Sequence, residues 1–273
     1  MEARLGIIGA GAMAEALIAG ILSCGLLEPE NVYVINRKNN ERLKFLKETY
    51  GVNTTRQYSD IFSYCDNIII AVKPKDMAEL LASIREYVDE KHIIISVVAG
   101  ISTSYIESRL EKKVRVVRAM PNTSCQVKAS ATAIAKGSYA DEHSMGLARE
   151  LFSSVGKVVV VEEKALDAVT GLSGSGPAYV YLMLEALTEA GISAGLGREI
   201  SEQLAIQTVF GAAKMALESG EAPVHLRRKV TSPGGTTMEG IKTLQQMGFT
   251  ASIVEAVRNA AERSKQLLIE NCK

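Results

Sequence analysis

Gly6-Ile-Ile-Gly9-Ala-Gly11-Ala-Met-Ala14 places three small residues where a β-branched run gives way to a helical pattern. Gly9 and Gly11 permit a tight turn and the close approach of a diphosphate. Ala14 takes the third place of a G-x-G-x-x-A fingerprint, where helix and strand pack. Phosphate charge would then rest on the free N–H groups of Ala12 and Met13 at the helix start. A dinucleotide site is the chemistry this spacing predicts.

The end of the second strand bears on which dinucleotide. A site for NAD normally carries Asp or Glu about 20 residues beyond the glycines, to hold the ribose 2′-hydroxyl. Here the chain reads Val34-Ile35-Asn36-Arg37-Lys38. Two cations and an amide suit a 2′-phosphate, so NADPH is expected, with NADH serving less well. The alternative for Arg37 and Lys38 is a solvated loop. Ala71-Val72-Lys73-Pro74 turns at the carboxyl end of another buried strand, where ligands of open α/β sheets lie. All four are therefore candidate cofactor contacts, with Pro74 pre-setting a helix start at Lys75–Asp76.

Three further segments combine glycine, proline and hydroxyls: Met120-Pro121-Asn122-Thr123, Ser173-Gly174-Ser175-Gly176-Pro177-Ala178-Tyr179 and Val230-Thr231-Ser232-Pro233-Gly234-Gly235-Thr236-Thr237. None contains His, Asp or Glu, so no strong buried general acid is evident. The turn Ser232–Thr237 leads into a helical pattern over Met238–Met247, and N–H groups at such a start make a seat for an anion. Ser173–Gly176 reads as a second loop entering a helix, with Pro177 suited to its first turn. Each has a plainer alternative as a capped helix start.

The elements that position these segments follow from periodicity. Near-continuous apolar runs at Leu5–Ile8, Val32–Ile35, Asn67–Val72, Ile93–Val97, Val114–Arg118 and Val158–Val161 suit parallel strands covered on both faces. Helical patterns at Met13–Ser23, Asn40–Tyr50, Met77–Tyr87 and Glu142–Ser153 alternate with them. This is the rhythm of an α/β Rossmann-type doubly wound sheet. Beyond Glu162 only helical patterns remain. Pro177–Ala190 is apolar nearly all round, which implies burial against other helices or another subunit. From Phe249 through Ile253, Ala256, Val257, Ala260 and Ser264 to Leu267, a spacing of three and four gives the last helix one apolar face. The boundary is placed at 162, between a dinucleotide-binding domain (1–162) and an all-helical domain (163–273).

Bulk properties narrow the field. In 273 residues there are 31 basic and 31 acidic ones, which gives no support to nucleic acid or an anionic membrane as partner. No tract approaches the roughly 18 apolar residues that span a bilayer, and the amino terminus lacks the layout of a signal peptide; a cytoplasmic location is expected. Cys24, Cys65, Cys125 and Cys272 are scattered and read as reduced thiols, Cys24 and Cys65 as small buried hydrophobes. His92, His143 and His225 lie far apart, so no metal is expected.

The segments GAGAMAEAL, AVKP, MPNT, SGSGPAY and TSPGGTT resemble, in order and spacing, the pyrroline-5-carboxylate reductase family over the whole chain. That resemblance implies reduction of 1-pyrroline-5-carboxylate to L-proline by hydride transfer from NADPH to a cyclic imine. It implies Met120, Pro121 and Asn122 on the cofactor side. On the substrate side it implies Ser173, Gly174, Ser175, Val230, Ser232, Gly234, Gly235, Thr236 and Thr237, with Thr237 pointing toward the ring nitrogen as the candidate catalytic residue. Solvent is the alternative source of that proton. It also implies a homo-oligomer, a dimer or a ring of dimers, with interlocking helical dimerisation domains. Two rivals stand beside it: a hydroxyacid dehydrogenase of similar architecture, for which Lys214 has no accompanying motif, and a non-catalytic NADP sensor, for which no motif is lost.

Overall fold

A computed structural model of the protein describes residues 4–271. Its strands are β1 (Leu5–Ile8), β2 (Val32–Ile35), β3 (Asn53–Thr55), β4 (Asn67–Ile70), β5 (Ile93–Ser96), β6 (Arg115–Met120), β7 (Ser130–Lys136) and β8 (Gly156–Val160). They form one eight-stranded sheet in the order β3-β2-β1-β4-β5-β6-β7-β8. Only the β6–β7 pairing is antiparallel; the others are parallel. The order reverses direction between β1 and β4, and a crevice opens at the carboxyl ends of strands at such a switch point.

Helices cover both faces: α1 (Ala12–Ser23), α2 (Asn40–Tyr50), α3 (Tyr58–Tyr64), α4 (Met77–Ile84), α5 (Thr103–Leu110) and α6 (Glu142–Ser153). β1 is buried along its whole length, as are the isoleucines of β4 and β5, because each strand is sandwiched. One core packs α1 and α6 with Ile7, Ile69 and Ile95, and the other packs α4 and α5 with Ile8, Ile68 and Ile94. The alternation of these numbers along each strand is the period of two that sends neighbours to opposite faces.

Sequence periodicity misplaces some of this. β3, α3, α5 and β7 go unread: β3 is three half-buried polar residues, and β7 is built largely from small residues. β4 ends at Ile70 rather than Val72, and β6 runs on to Met120 rather than stopping at Arg118. Cys24 is exposed at the carboxyl end of α1, not buried, whereas Cys65 and Cys125 are buried. Burial pushes the Cys65 thiol up to about 12. Cys272 lies outside the described residues.

After β8 every described element is helical: α7 (Leu166–Val169), a π-helical turn (Thr170–Gly174), α8 (Gly176–Ser193), α9 (Arg198–Ser219), α10 (Pro223–Lys229), α11 (Thr236–Gln246) and α12 (Phe249–Asn271). Compactness groups the described residues into two units, 4–175 with 258–271, and Gly176–Val257. In the first, Ser264 of α12 donates to Asp167 of α7 at 2.7 Å. The second is a helical assembly with almost no interior. Among its described residues only Thr188, Ser201 and Ala205 are buried. Within it α8 and α9 pack closely at Gly191, where a Cβ would stand 2.6 Å from Ser201 Oγ.

Candidate functional site

A groove of about 610 Å³ opens at the carboxyl ends of β1, β2 and β4. Its floor is the turn after β1. Gly9 N–H donates to Ile35 O at 2.9 Å, and Ala71 N–H donates to Ile8 O at 2.8 Å, so the turn is tied to both neighbouring strands. Gly9 has φ +117°, and a Cβ there would collide with the carbonyl group of Ala71. Only glycine meets both demands. Gly11 differs. It is the N-cap of α1 with no side-chain cap, and a Cβ on it would meet nothing within 4 Å. The chain thus leaves open ground in front of the Ala12 and Met13 end of α1, where an anion is favoured.

Arg42 of α2 pins this turn from the side. Its Nε donates to Ala10 O at 2.7 Å, and its guanidinium pairs with Glu15 in the first turn of α1. Tyr50 donates to the same carboxylate at 3.1 Å, and burial together with that bond pushes its phenol up. With Glu15 so engaged, the first acid of α1 is held by a cation and a phenol.

The rim of the groove is cationic. Asn36 accepts from Lys38 N–H and Asn39 N–H, both at 3.0 Å, so its amide oxygen shapes the turn that presents Arg37 and Lys38. Arg37 lies over the Tyr58 ring at 5.6 Å and is ion-paired with Glu79 of α4. Val72 and Lys73 line the opposite wall, and Pro74 opens a short 3-10 turn that leads into α4. These residues fit a dinucleotide: an open helix start for the diphosphate, and cations at the far end for a phosphate on the ribose. Arg42, Tyr58, Lys75 and Glu79 join the groove without any signal in sequence spacing, because each arrives from a separate helix or loop.

Met120, Pro121 and Asn122 stand at the end of β6 and do not line this groove. Met120 and Pro121 are buried. Asn122 is 8% exposed and fully engaged. Its Oδ1 accepts from Ser124 N–H at 3.0 Å, its own N–H donates to Ser130 Oγ at 3.2 Å, and its Nδ2 donates to Ser173 O at 3.0 Å. Ser173 and Gly174 are not in a loop, as their sequence suggests, but in the π-helical turn, with Ser175 its C-cap. Ser175 N–H donates to Thr170 O at 2.8 Å, the long-range closure that defines such a turn. Asn122 therefore ties the end of β6 to this turn.

Val230–Thr237 lies in the second unit, as the turn between α10 and α11 (230–235) and the start of α11. Gly235 N–H donates to Ser232 O at 3.0 Å, and Gly235 is an N-cap without a side-chain cap bond. Thr236 and Thr237 are the first two residues of α11, and both are exposed, as are Val230, Ser232 and Gly234. The arrangement offers first-turn amides and two hydroxyls together, which suits a carboxylate.

Comparison with known proteins gives this geometry a context. Residues 163–267 match the family model for pyrroline-5-carboxylate reductase dimerisation, and residues 4–100 match that for NADP oxidoreductase, coenzyme F420-dependent. A pyrroline-5-carboxylate reductase of Bacillus subtilis is 43% identical, over 97% of this chain and 95% of the relative. The solved structure of a pyrroline-5-carboxylate reductase from Coxiella burnetii is similar, with TM-score 0.92, 38% identity, and 97% and 98% of the two chains covered. That of the Plasmodium falciparum pyrroline carboxylate reductase, with NADP bound, has TM-score 0.87 and 30% identity and covers 98% of each chain.

Proposed function

The chain belongs to the pyrroline-5-carboxylate reductase family, and on that footing we propose how its residues divide the work of the reaction. It is an oxidoreductase that reduces pyrroline-5-carboxylate to proline with NAD(P)H, and its helical half serves oligomerisation. In our reading residues 1–162 bind the dinucleotide, and residues 163–273 bind the imine and form the dimer, alone or as the unit of a ring of dimers. Among the described residues no helix is long and apolar enough to cross a membrane; we assign the protein to the cytoplasm.

The observation that carries the cofactor assignment is the open start of α1 beside the Arg37–Lys38 rim. Ala12 and Met13 amides take the diphosphate, and Arg37 and Lys38 meet the 2′-phosphate, which makes NADPH the better of the two donors. Val72 and Lys73 wall the groove, Pro74 sets the turn into α4 without lining it, and Met120 and Pro121 stay buried at the end of β6 outside it. Asn122 acts through Ser173. When bound, the reduced nicotinamide supplies a hydride to the imine carbon.

The substrate carboxylate rests on the amides and hydroxyls of Ser232 through Thr236, next to Val230 in the same turn; Ser173, Gly174 and Ser175 are the residues of the π-helical turn that we also assign to the substrate. As the carbon–nitrogen double bond is reduced, the nitrogen must hold a proton, and Thr237 Oγ1 is the group we assign to donate a hydrogen bond to it. Little acid strength is needed, since a protonated imine is already electrophilic. Catalysis is chiefly positioning. The test is steady-state loss of NADPH absorbance with pyrroline-5-carboxylate for the native protein and Thr237→Ala. A fall in kcat of about 100-fold is expected, with NADPH affinity unchanged and most activity restored in Thr237→Ser. Native turnover in Thr237→Ala would leave the proton to solvent.

A further inference from the structure

The cations at the rim of the dinucleotide groove are not equally free. Arg37 is held by the Glu79 carboxylate, which reaches over from α4, the helix that follows the Lys73–Pro74 turn. The bond and the charge of Arg37 hold Glu79 below the usual carboxylate range, with Lys38 adding to the effect. Arg37 in turn is pushed up by its bond to Glu79, and by Tyr58 and Asp76 nearby. Lys38, Lys73 and Lys75 also line the groove, and among the described residues none of them makes an ion pair.

A phosphate on the 2′ position brings close to two negative charges, so it must displace Glu79 from Arg37 or sit beside it. A free 2′-hydroxyl has the opposite need. It donates, and a carboxylate at the adenosine end of the groove is its usual acceptor. No acid stands at the end of β2, where that acceptor is normally supplied. Glu79 arrives at the same rim from a different element.

We propose that Glu79 is a specificity-determining residue for the dinucleotide: its carboxylate competes with a 2′-phosphate for Arg37 and accepts from a 2′-hydroxyl. NADPH and NADH then use opposite members of one ion pair. The inference rests on the placement of the 2′-phosphate at Arg37 and Lys38 given above.

The test measures dissociation constants for NADP⁺ and NAD⁺ by isothermal titration calorimetry, on the full chain without imine, for the native protein and three variants. In Glu79→Gln, NADP⁺ binds about three- to fivefold tighter, the span of a released surface ion pair, and NAD⁺ binds more weakly. Asp76→Asn is the control for a general field and shifts the ratio much less. Arg37→Ala weakens NADP⁺ and leaves NAD⁺ within about twofold. An unchanged NADP⁺-to-NAD⁺ ratio in Glu79→Gln, or an equal shift in Asp76→Asn, overturns the role of Glu79. If Arg37→Ala leaves NADP⁺ binding unaltered, the placement of the 2′-phosphate itself fails. If Arg37→Ala is selective and Glu79→Gln is silent, only the further inference falls.

Discussion

Gly9 and Gly11 stand two residues apart and are glycine for different reasons, which makes them separable by substitution. At Gly9 a methyl meets the Ala71 carbonyl group and the backbone has φ +117°. Gly9→Ala should therefore cost about 1–3 kcal/mol from the backbone alone, with more from the clash, and lower the melting temperature by several degrees. At Gly11 a methyl meets nothing within 4 Å. Gly11→Ala should melt as the native chain does and yet bind NADP⁺ on the order of tenfold more weakly, because the methyl takes the ground left for the diphosphate. Thermal melts and calorimetric titration check both. Equal loss of affinity and of stability in the two variants would mean that Gly11 serves packing. The motif was legible from spacing alone, because a strand, two glycines and a helix start leave few other uses. The partner of Arg37 was not: Glu79 lies 42 residues away on another helix, a juxtaposition that only the tertiary fold creates.

Elements with strong periodicity were equally legible. β1, β2 and α2 fall at the residues their apolar runs and helical patterns predict, since a buried parallel strand needs an unbroken run of apolar residues on both faces. The π-helical turn at Thr170–Gly174 was not readable, because Gly-Leu-Ser-Gly-Ser suits a loop as well as a bulged helix. What fixes it is a bond from outside, Asn122 Nδ2 to Ser173 O. Asn122→Ala removes that donor from a nearly closed site and should cost about 1–2 kcal/mol. It should also raise KM for the imine while NADP⁺ affinity holds, which a purely global loss of stability would not do. A second buried link ties the strand itself. Arg118 of β6 is 2% exposed, and its Nη1 lies 3.6 Å from Glu163 Oε1. Glu163 also accepts from Thr103 N–H at 2.7 Å and Thr103 Oγ1 at 2.6 Å, at the start of α5. Among the described residues Arg118 Nε and Nη2 have no hydrogen-bond partner. Glu163→Ala strands this buried charge. The expected loss is about 2–3 kcal/mol by urea unfolding, below the value for a fully buried pair because Glu163 is partly open to water.

The whole molecule poses a different problem, which its helical unit states most clearly. α9 spans 22 residues and buries only Ser201 and Ala205. Its apolar side chains face outward, with Ile200 55%, Phe210 57% and Leu217 70% exposed, and Tyr181 and Leu182 of α8 are as open. A soluble monomer rarely leaves so extensive an apolar surface in water. Nor could this unit hold its helices together unaided, since helices gain most of their stability from a packed apolar face. The pattern is that of half a core, with the other half supplied by a second copy, as expected of a segment that matches a dimerisation family. The all-round apolar character of α8 in the sequence pointed this way, though α9 did not, because its apolar residues are spread around the helix. A charge placed in that surface should therefore undo assembly and fold together. In Phe210→Glu, light scattering should show the mass falling toward that of one chain, and circular dichroism should show helix lost at the same protein concentration. The native melting temperature should rise with concentration, as it must when folding and association are linked. Tyr139→Glu, at a site 45% exposed in the first unit, should change neither mass nor helix content. If Phe210→Glu became a stable, fully helical monomer, the second unit would have to possess an interior of its own. Its three buried residues, two of them serines or threonines, do not provide one.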